Sequence, residues 1–482
     1  MPRRMSVWPV RFGRGVARRK RDDALNQINV GPLQSGDLGL SKPREHEQQQ
    51  EVALPIARAG SLALGCGLPC FPVSLMLAQT LDQIRSSPSK SAAYERLLLA
   101  GLVALVLAKT FRLACFNVGS GRDLTDFDVF HFVAQRVWHG DLDLVYRFET
   151  LAKIQAEAGA RTFMPWTYPP QFDLLLAPLG FLPVWLAYAL FIASTLALYL
   201  VTMRRIAREY FVPTLIVIFP ALTITITSGQ NGLLTGSLIG AVCLNAGRRQ
   251  WLAGLALGAM VIKPHLAVAA GVYLLLTRRF VALTIAVTVV LVSSAICTLL
   301  FGAQIWTALL GAVRESAILL EGGFYLLFRM VSSYAALLTA GVPAAWALVG
   351  QALTAAFALF AVALAVARQL SQNWTIGITA IASVMISPYA HDYDLPILGI
   401  GLALLLPDLA KLASWRERNV AFGLVLLAGG YGMLQSVRLE NFDPIEHPVP
   451  AVAGFALLAL LGLLLRILAR KRTVDVPVTD HA

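Results

Sequence analysis

The sequence predicts an all-α, polytopic integral membrane protein with about 12 transmembrane helices, and three observations predict it. The 482 residues are 57% hydrophobic and only 14% charged, with a mean hydropathy of +0.66, far more apolar than an ordinary globular domain. From Leu97 onward the chain offers a succession of apolar stretches of the roughly 20 residues a helix needs to cross a hydrocarbon core about 30 Å thick. Lys and Arg fall in short clusters between those stretches, the pattern of short cytoplasmic loops. No segment is left over for a soluble catalytic domain, so any chemistry takes place at or in the membrane.

Taken in order, residues 1–90 read as a disordered, basic amino-terminal segment. "MPRRMSVWPVRFGRGVARRKRDD" is rich in arginine, a polar tract containing "EHEQQQE" follows, and neither shows helical periodicity. The run "AGSLALGCGLPCFPVSLMLA" (59–78) is long enough to cross but carries three Gly and two Pro. The composition changes there, which makes Met76 a candidate initiator; peptides from residues 1–75 in the native protein would refute that. The formal net charge of +12 does not point to nucleic acid, because the basic residues sit in this head and between the spans. Cys66, Cys70, Cys115, Cys243 and Cys297 are scattered without metal-type or paired spacing and read as packing residues.

Residues 91–472 form the membrane domain and 473–482 a cytoplasmic tail. With "RRIAR" (204–208), "GRRQ" (247–250), "TRR" (277–279), Arg368, "WRER" (415–418) and "RKR" (470–472) inside, spans fall at about 97–115, 184–203, 211–227, 232–246, 280–301, 344–367, 374–388, 393–407, 420–438 and 450–469. Between Arg249 and Arg278 the chain must return to the side it left. Two short helices meeting at Lys263-Pro264-His265 achieve that, and such a turn at membrane depth requires a protein-lined or water-filled cavity. The first span then delivers "GRDLTDFDVFHF" (121–132), with Asp123, Asp126 and Asp128, to the outer face, at the head of a loop running to about residue 183. "WTYPPQFD" (166–173), "SGQN" (228–231), "VRESA" (313–317) and "SPYAHDYD" (387–394) land on that same face. Ionisable groups gathered at one mouth of a bundle are what a periplasm-facing active site requires.

"DFDVFHFVAQRVWHGDLDLVY", "YPPQFDLLLAPLGFLP", "SGQNGLL", "LAGLALGAMVIKPHLAV" and "SPYAHDYDLP" occur in an order and spacing that resembles glycosyltransferase family 87, over about residues 97–470. The resemblance implies a GT-C fold with a large first outer loop. It also implies transfer of a hexose, typically mannose, from a polyprenyl-phosphate carrier. Asp126 fills the position that resembles the family's outer-loop catalytic aspartate, with Asp128 the second candidate; a general base must reach the acceptor hydroxyl. Two residues apart on a helix, the two side chains diverge; Asp126 also reads as a helix cap, and Asp123 more so, as a loop residue.

The leaving phosphate calls for donors where charge develops. Lys263, His265, His391 and Arg314 are the candidates, with Asp392 orienting His391 or binding an acceptor hydroxyl. Against this, Lys263 reads as snorkelling, His391 as a packing histidine and Arg314 as half of a surface pair. Tyr168 with Pro169 and Pro170 fixes an extended entry to the next helix, and Gln230 and Asn231 either bind sugar or end a helix. The amphipathic "FHFVAQRVWHGDLDLVY" is expected along the outer interface. The expected partners are a lipid-linked sugar donor, a glycan or glycolipid acceptor and membrane lipid. No cofactor and no metal are expected, a lone D-x-D being a weak ligand set.

Two other classes compete. A secondary transporter would place its site at the bilayer midplane between internal repeats, and no such repeat is visible. A non-catalytic scaffold for envelope glycan assembly predicts that Asp126→Asn is without effect. The residues do not read out which sugar or which acceptor is used.

Overall fold

Leu77–Ser86 and Pro88–Cys115 form α1 and α2. Pro88 stands at the start of α2, where its missing N–H leaves no helical hydrogen bond unmade. Residues 77–86 and 88–90 are helical, with Ser87 in extended backbone between them, where the sequence suggested the end of a disordered head. α1 is too short for periodicity to reveal, and distant contacts hold it. Ala78 N donates to Asn419 Oδ1 (2.7 Å), Arg418 pairs with Asp82 (2.7 Å) and Arg85 with Glu209 (3.0 Å). The structure, a computed structural model, describes residues 77–322, 324–439 and 449–474, all within the unit Val73–Ala482. The readings made for residues 1–76, including Cys66, Cys70 and Met76, and for 475–482 lie outside the described residues.

A two-residue strand pair, β1 (Asn117–Val118) and β2 (Gly121–Arg122), leads into the first loop, which holds α3 (Asp126–His139), α4 (Phe148–Glu157) and α5 (Pro170–Leu176). The bundle follows as α6 (Val184–Ala207), α7 (Phe211–Ser228), α8 (Gly232–Asn245), α9 (Gln250–Ala259), α10 (Val268–Leu276) and α11 (Phe280–Phe301). It continues with α12 (Gln304–Glu321), α13 (Ser333–Thr339), α14 (Ala344–Ala367), α15 (Gln372–Met385), α16 (Pro396–Leu412), α17 (Trp415–Leu439) and α18 (Ala453–Val474).

Side-chain contacts give the helix directions. Tyr188, near the start of α6, donates to the Ile226 carbonyl near the end of α7 (2.8 Å), so the 45-residue apolar run 184–228 folds back on itself at 208–210. Gly236 lies against Tyr199 and Pro396, and Gly240 against Thr202 and Ile400, so α8 runs parallel to both α6 and α16. Gly254 meets Ala282 and Ile285 while Gly258 meets Ala286 and Val289; α9 and α11 are parallel, and α10 between them must run back. Gly377 against Leu405 and Gly401 against Ile381 make α15 and α16 an antiparallel hairpin. Small residues at these crossings let the backbones approach closely, the usual packing of helices in lipid.

These directions bring the α7–α8, α9–α10 and α15–α16 tips to one end. The other end carries ion pairs of Arg85, Arg204, Arg418 and Arg470 with Glu209, Glu95, Asp82 and Glu417. Among the described residues six helical runs are long and apolar enough to cross a membrane: Pro88–Cys115, Val184–Ser228, Phe280–Phe301, Ala344–Ala367, Trp415–Arg438 and Ala453–Arg470. The protein is a helical membrane protein. The other expected spans correspond to α8, α9, α10, α15 and α16, of 14, 10, 9, 14 and 17 residues, which begin or end at a polar cluster. Cys243 and Cys297 are buried, as packing cysteines are, and Cys115 is exposed at the end of α2.

Candidate functional site

The site is built from the start of α3 and the three hairpin tips. Thr125 caps α3 in extended backbone, and Asp128, three residues in, reaches back to it: the Thr125 N–H (2.9 Å) and hydroxyl (2.7 Å) both donate to Asp128 Oδ2. Arg122 completes the arrangement with a two-pronged bond, Nη1 to Oδ2 at 2.6 Å and Nη2 to Oδ1 at 2.7 Å. The Asp128 carboxylate is thus fully occupied and buried, and its geometry is that of an anchor for the helix. Asp126, one position into the same helix, points elsewhere. Its Oδ1 accepts from Gln230 Nε2 at 2.8 Å, it is partly exposed, and Oδ2 takes no hydrogen bond among the described residues. Phe127 between them is buried against Tyr188 and Phe191. Asp123 stays exposed in the loop.

Gly229 ends α7 in the left-handed region (φ 75°), where a Cβ would strike Phe127. That turn presents Gln230, whose Oε1 accepts from Tyr168 Oη at 2.9 Å. Tyr168, Gln230 and Asp126 therefore form one chain of hydrogen bonds. Asn231 follows, fully buried, with Oδ1 3.4 Å from Lys263 Nζ and Nδ2 unpartnered among the described residues. Gly232 opens α8 directly against the Tyr393 carbonyl, a contact that leaves no room for a side chain.

Lys263 sits between two 3₁₀ turns, Met260–Ile262 and Pro264–Leu266, in non-helical backbone, and is buried. Its ammonium donates to Asp394 Oδ1 at 2.5 Å and lies over the rings of Tyr393 (4.8 Å) and Tyr168 (5.7 Å). His265 Nε2 beside it is buried with no hydrogen-bond partner among the described residues. On the α15–α16 tip, Asp394 Oδ2 accepts from His391 N (3.1 Å). His391 Nδ1 lies 2.7 Å from the Tyr389 carbonyl, which can only accept, so Nδ1 carries the proton. Burial pushes the His391 pKa below the usual histidine value, and the neutral ring, stacked on Tyr393 at 4.9 Å, offers Nε2 as an acceptor. Asp392 holds Arg329 in a second two-pronged pair, Nε and Nη2 both at 3.0 Å, while Arg329 Nη2 also donates to Ser228 Oγ at 3.2 Å.

Arg329 is the group that sequence reasoning missed. It lies in the 3₁₀ turn Leu327–Arg329, fastened to the α15–α16 tip by Val331 N donating to Ala390 O at 2.9 Å and by the Met330–His391 bridge. A signal existed, since Arg329 is the one Lys or Arg between Arg314 and Arg368. Arg314 is exposed on α12, away from this network. Asp126, Tyr168, Gln230, Asn231, Lys263, His265, His391 and Asp392 are brought to one end of the bundle, and Arg329 joins them.

Three cations in and around the cluster are locked to carboxylates: Arg122 to Asp128, Lys263 to Asp394 and Arg329 to Asp392. Asp126 is the cluster aspartate with no cation at ion-pair distance among the described residues. Those residues hold no group of three or more His, Cys, Asp or Glu side chains arranged for a metal ion.

Apolar helices of spanning length around a buried polar cluster at one end are those of a helical membrane protein. Residues 166–388 match the family model of glycosyltransferase family 87. The resemblance read from the motifs is borne out over that segment, and the family indicates a glycosyltransferase. The matched segment contains Tyr168, Gln230, Asn231, Lys263, His265 and Arg329. No curated protein and no solved structure matches the chain.

Proposed function

We propose that the protein transfers a hexose, mannose being the first candidate, from a polyprenyl-phosphate donor to a glycan or glycolipid acceptor, with Asp126 as general base. The observation that carries the reading is the state of Asp126: one oxygen fixed by Gln230, the other without a hydrogen bond, and no cation at ion-pair distance among the described residues. A base needs that free lone pair. The acceptor hydroxyl gives its proton to Asp126 Oδ2 as its oxygen bonds to the sugar C1. The bond from C1 to the donor's phosphate oxygen breaks, and its electron pair leaves with the phosphate. Such a base contributes on the order of 10²–10⁴-fold.

The leaving phosphate is received by Asn231 Nδ2 and His265 Nε2, two buried atoms of the cluster that lack partners among the described residues, beside the Lys263 ammonium. Tyr168 and Gln230 hold Asp126 in place, Asp128 and Arg122 hold the helix that carries it, and Arg329 fixes the tip that carries Asp392, Asp394 and His391. These groups supply the charges the step needs without a resident metal. The architecture is read as GT-C, with the hairpins that converge on the cluster lying within the membrane. The arginine-rich opposite end is cytoplasmic by the positive-inside rule, which turns the site towards the periplasm of the inner membrane. Purified protein in lipid, offered a panel of radiolabelled polyprenyl-phosphate sugars with an envelope glycolipid extract, should label the extract from one of them. Labelling from nucleotide sugars alone would overturn the donor assignment.

A further inference from the structure

None of the roles above uses the Tyr393 hydroxyl, although the residue that carries it is held by several contacts. Tyr393 lies in the 3₁₀ turn Asp392–Asp394, between the two carboxylates that pair with Arg329 and Lys263. Its carbonyl accepts from Thr225 Oγ1 at 3.1 Å and packs against Gly232. Its ring stacks on that of His391, with 4.9 Å between centroids and 3° between planes, while Lys263 Nζ lies 4.8 Å and Arg329 Cζ 5.9 Å from its centre. Two cations and an imidazole thus hold the ring, and neighbouring ion pairs hold the backbone. The hydroxyl makes no hydrogen bond among the described residues and is not sealed off by them. Tyr168, whose ring lies by the same ammonium, donates its hydroxyl to Gln230, and Tyr146, Tyr188 and Tyr199 each donate to a carbonyl oxygen. Packing against Lys263, Arg329 and His391 requires the Tyr393 ring alone, which a phenylalanine would supply.

We propose that the Tyr393 hydroxyl donates a hydrogen bond to the phosphate of the lipid-linked donor, beside Lys263. The proposal rests on the glycosyltransferase reading and adds one donor to Asn231 and His265. Asn231 and Tyr393 border the same ammonium, the one with Oδ1 at 3.4 Å and the other with its ring centre at 4.8 Å, so a single phosphate can meet both. Lys263 and Arg329 are each paired with a carboxylate, which leaves neutral donors to supply much of what the phosphate needs. An O–H donor to a charged oxygen makes a short, strong bond. The donor's phosphodiester carries one negative charge, and the released monophosphate gains a second as the bond to C1 breaks. The hydrogen bond therefore strengthens towards the transition state. Tyr393 keeps its proton, and no covalent change occurs on it.

The test compares wild type with Tyr393→Phe, which keeps the ring and removes only the hydroxyl, in nanodiscs of neutral lipid. Sugar transfer is measured while polyprenyl-phosphate mannose is varied, and retention of isoprenoid monophosphate is followed separately by native mass spectrometry. In Tyr393→Phe kcat should fall by about tenfold, roughly the effect of 1.4 kcal/mol, with a smaller change in donor KM. Retention of the monophosphate should weaken by a similar factor. Apparent Tm should match wild type, because the hydroxyl leaves no partner orphaned. Unchanged transfer and unchanged retention in a folded Tyr393→Phe protein would overturn the proposal while leaving the transferase reading intact. Reduced transfer with unchanged monophosphate retention would overturn it as well, by moving the contact from the phosphate to the sugar or the acceptor. A lowered apparent Tm in step with transfer would show that the hydroxyl serves the fold, and the proposal would again fail. If wild type transfers no sugar, the transferase reading itself fails, and the retention measurement still decides whether Tyr393 holds a lipid phosphate.

Discussion

Replacing Asp128 by Asn should destabilise the protein far more than it impairs chemistry. The side chains of Arg122 and Asp128 are 4% and 2% exposed, so this is a buried pair and not a surface one. Removing its charge leaves the Arg122 guanidinium in a buried site with no counter-ion, which typically costs about 3–5 kcal/mol. Replacing both residues, as in Arg122→Met with Asp128→Leu, avoids the orphaned charge. What remains is the lost cap at Thr125, worth roughly 1 kcal/mol. The double variant should therefore unfold at a higher temperature than Asp128→Asn alone. Unfolding of a membrane protein in detergent is commonly irreversible, so the comparison is between apparent midpoints at one scan rate. Sugar transfer by the Asp128→Asn protein that remains folded should stay within about tenfold of wild type, because both oxygens of the carboxylate it loses are held by Arg122. If Asp128→Asn unfolds with wild type yet transfers no sugar, Asp128 is a reacting group and its assignment as an anchor is wrong.

Asp173 gives a pH-dependent prediction. It is fully buried, and burial raises its pKa to about 8, against hydrogen bonds from Tyr146 and Trp166 that pull the other way. Tyr146 Oη lies 2.6 Å from Asp173 Oδ2 and 2.8 Å from the Tyr168 carbonyl yet has one proton, which a protonated Asp173 accounts for. The folded state thus keeps a proton that the unfolded state loses near pH 4. That contribution is fully present below pH 4 and is lost as the pH rises to about 8. Asp173→Asn should therefore gain apparent Tm relative to wild type as pH rises from 5 to 8, and an unchanged difference would contradict it. Lys263→Met leaves the buried Asp394 carboxylate without its counter-ion and should cost about 3–5 kcal/mol, as breaking a buried pair typically does; a lowered apparent Tm measures this. Gly232→Ala drives a methyl into the Tyr393 carbonyl and should cost about 1–3 kcal/mol by overpacking, read as a lowered apparent Tm, whereas Gly271→Ala, in open space, should not. Chelation by EDTA should leave transfer intact; complete loss reversed by Mg²⁺ or Mn²⁺ would show that a divalent ion is required.

Hydropathy made the long helices legible, since 184–228 or 280–301 cannot be mistaken for anything but apolar runs of spanning length. The break at Lys263 was legible for the same reason: a charged residue followed by Pro264 cannot sit in an uninterrupted lipid-facing helix. The partition of the two acids in "DFDVF" was not legible. Spacing says that Asp126 and Asp128 diverge, but which one meets Arg122 depends on the strand pair that brings Arg122 back to Thr125. Arg329 was hidden because its partner Asp392 lies 63 residues away, and no local pattern couples a short 3₁₀ turn to a distant hairpin tip. α1 escaped for a related reason: its short apolar face of Ala78, Leu81 and Ile84 is held by distant partners, Asn419, Arg418 and Glu209.

The most direct test of the central claim is sugar transfer from radiolabelled polyprenyl-phosphate mannose by wild type beside Asp126→Asn, in the same nanodiscs, with folding checked by apparent Tm. Asp126→Asn keeps the bond to Gln230 through an amide oxygen and removes only the basic lone pair. The account predicts wild-type transfer, a fall of at least about 10²-fold in the variant, and matching apparent Tm values. Equal transfer by a folded Asp126→Asn protein would contradict it.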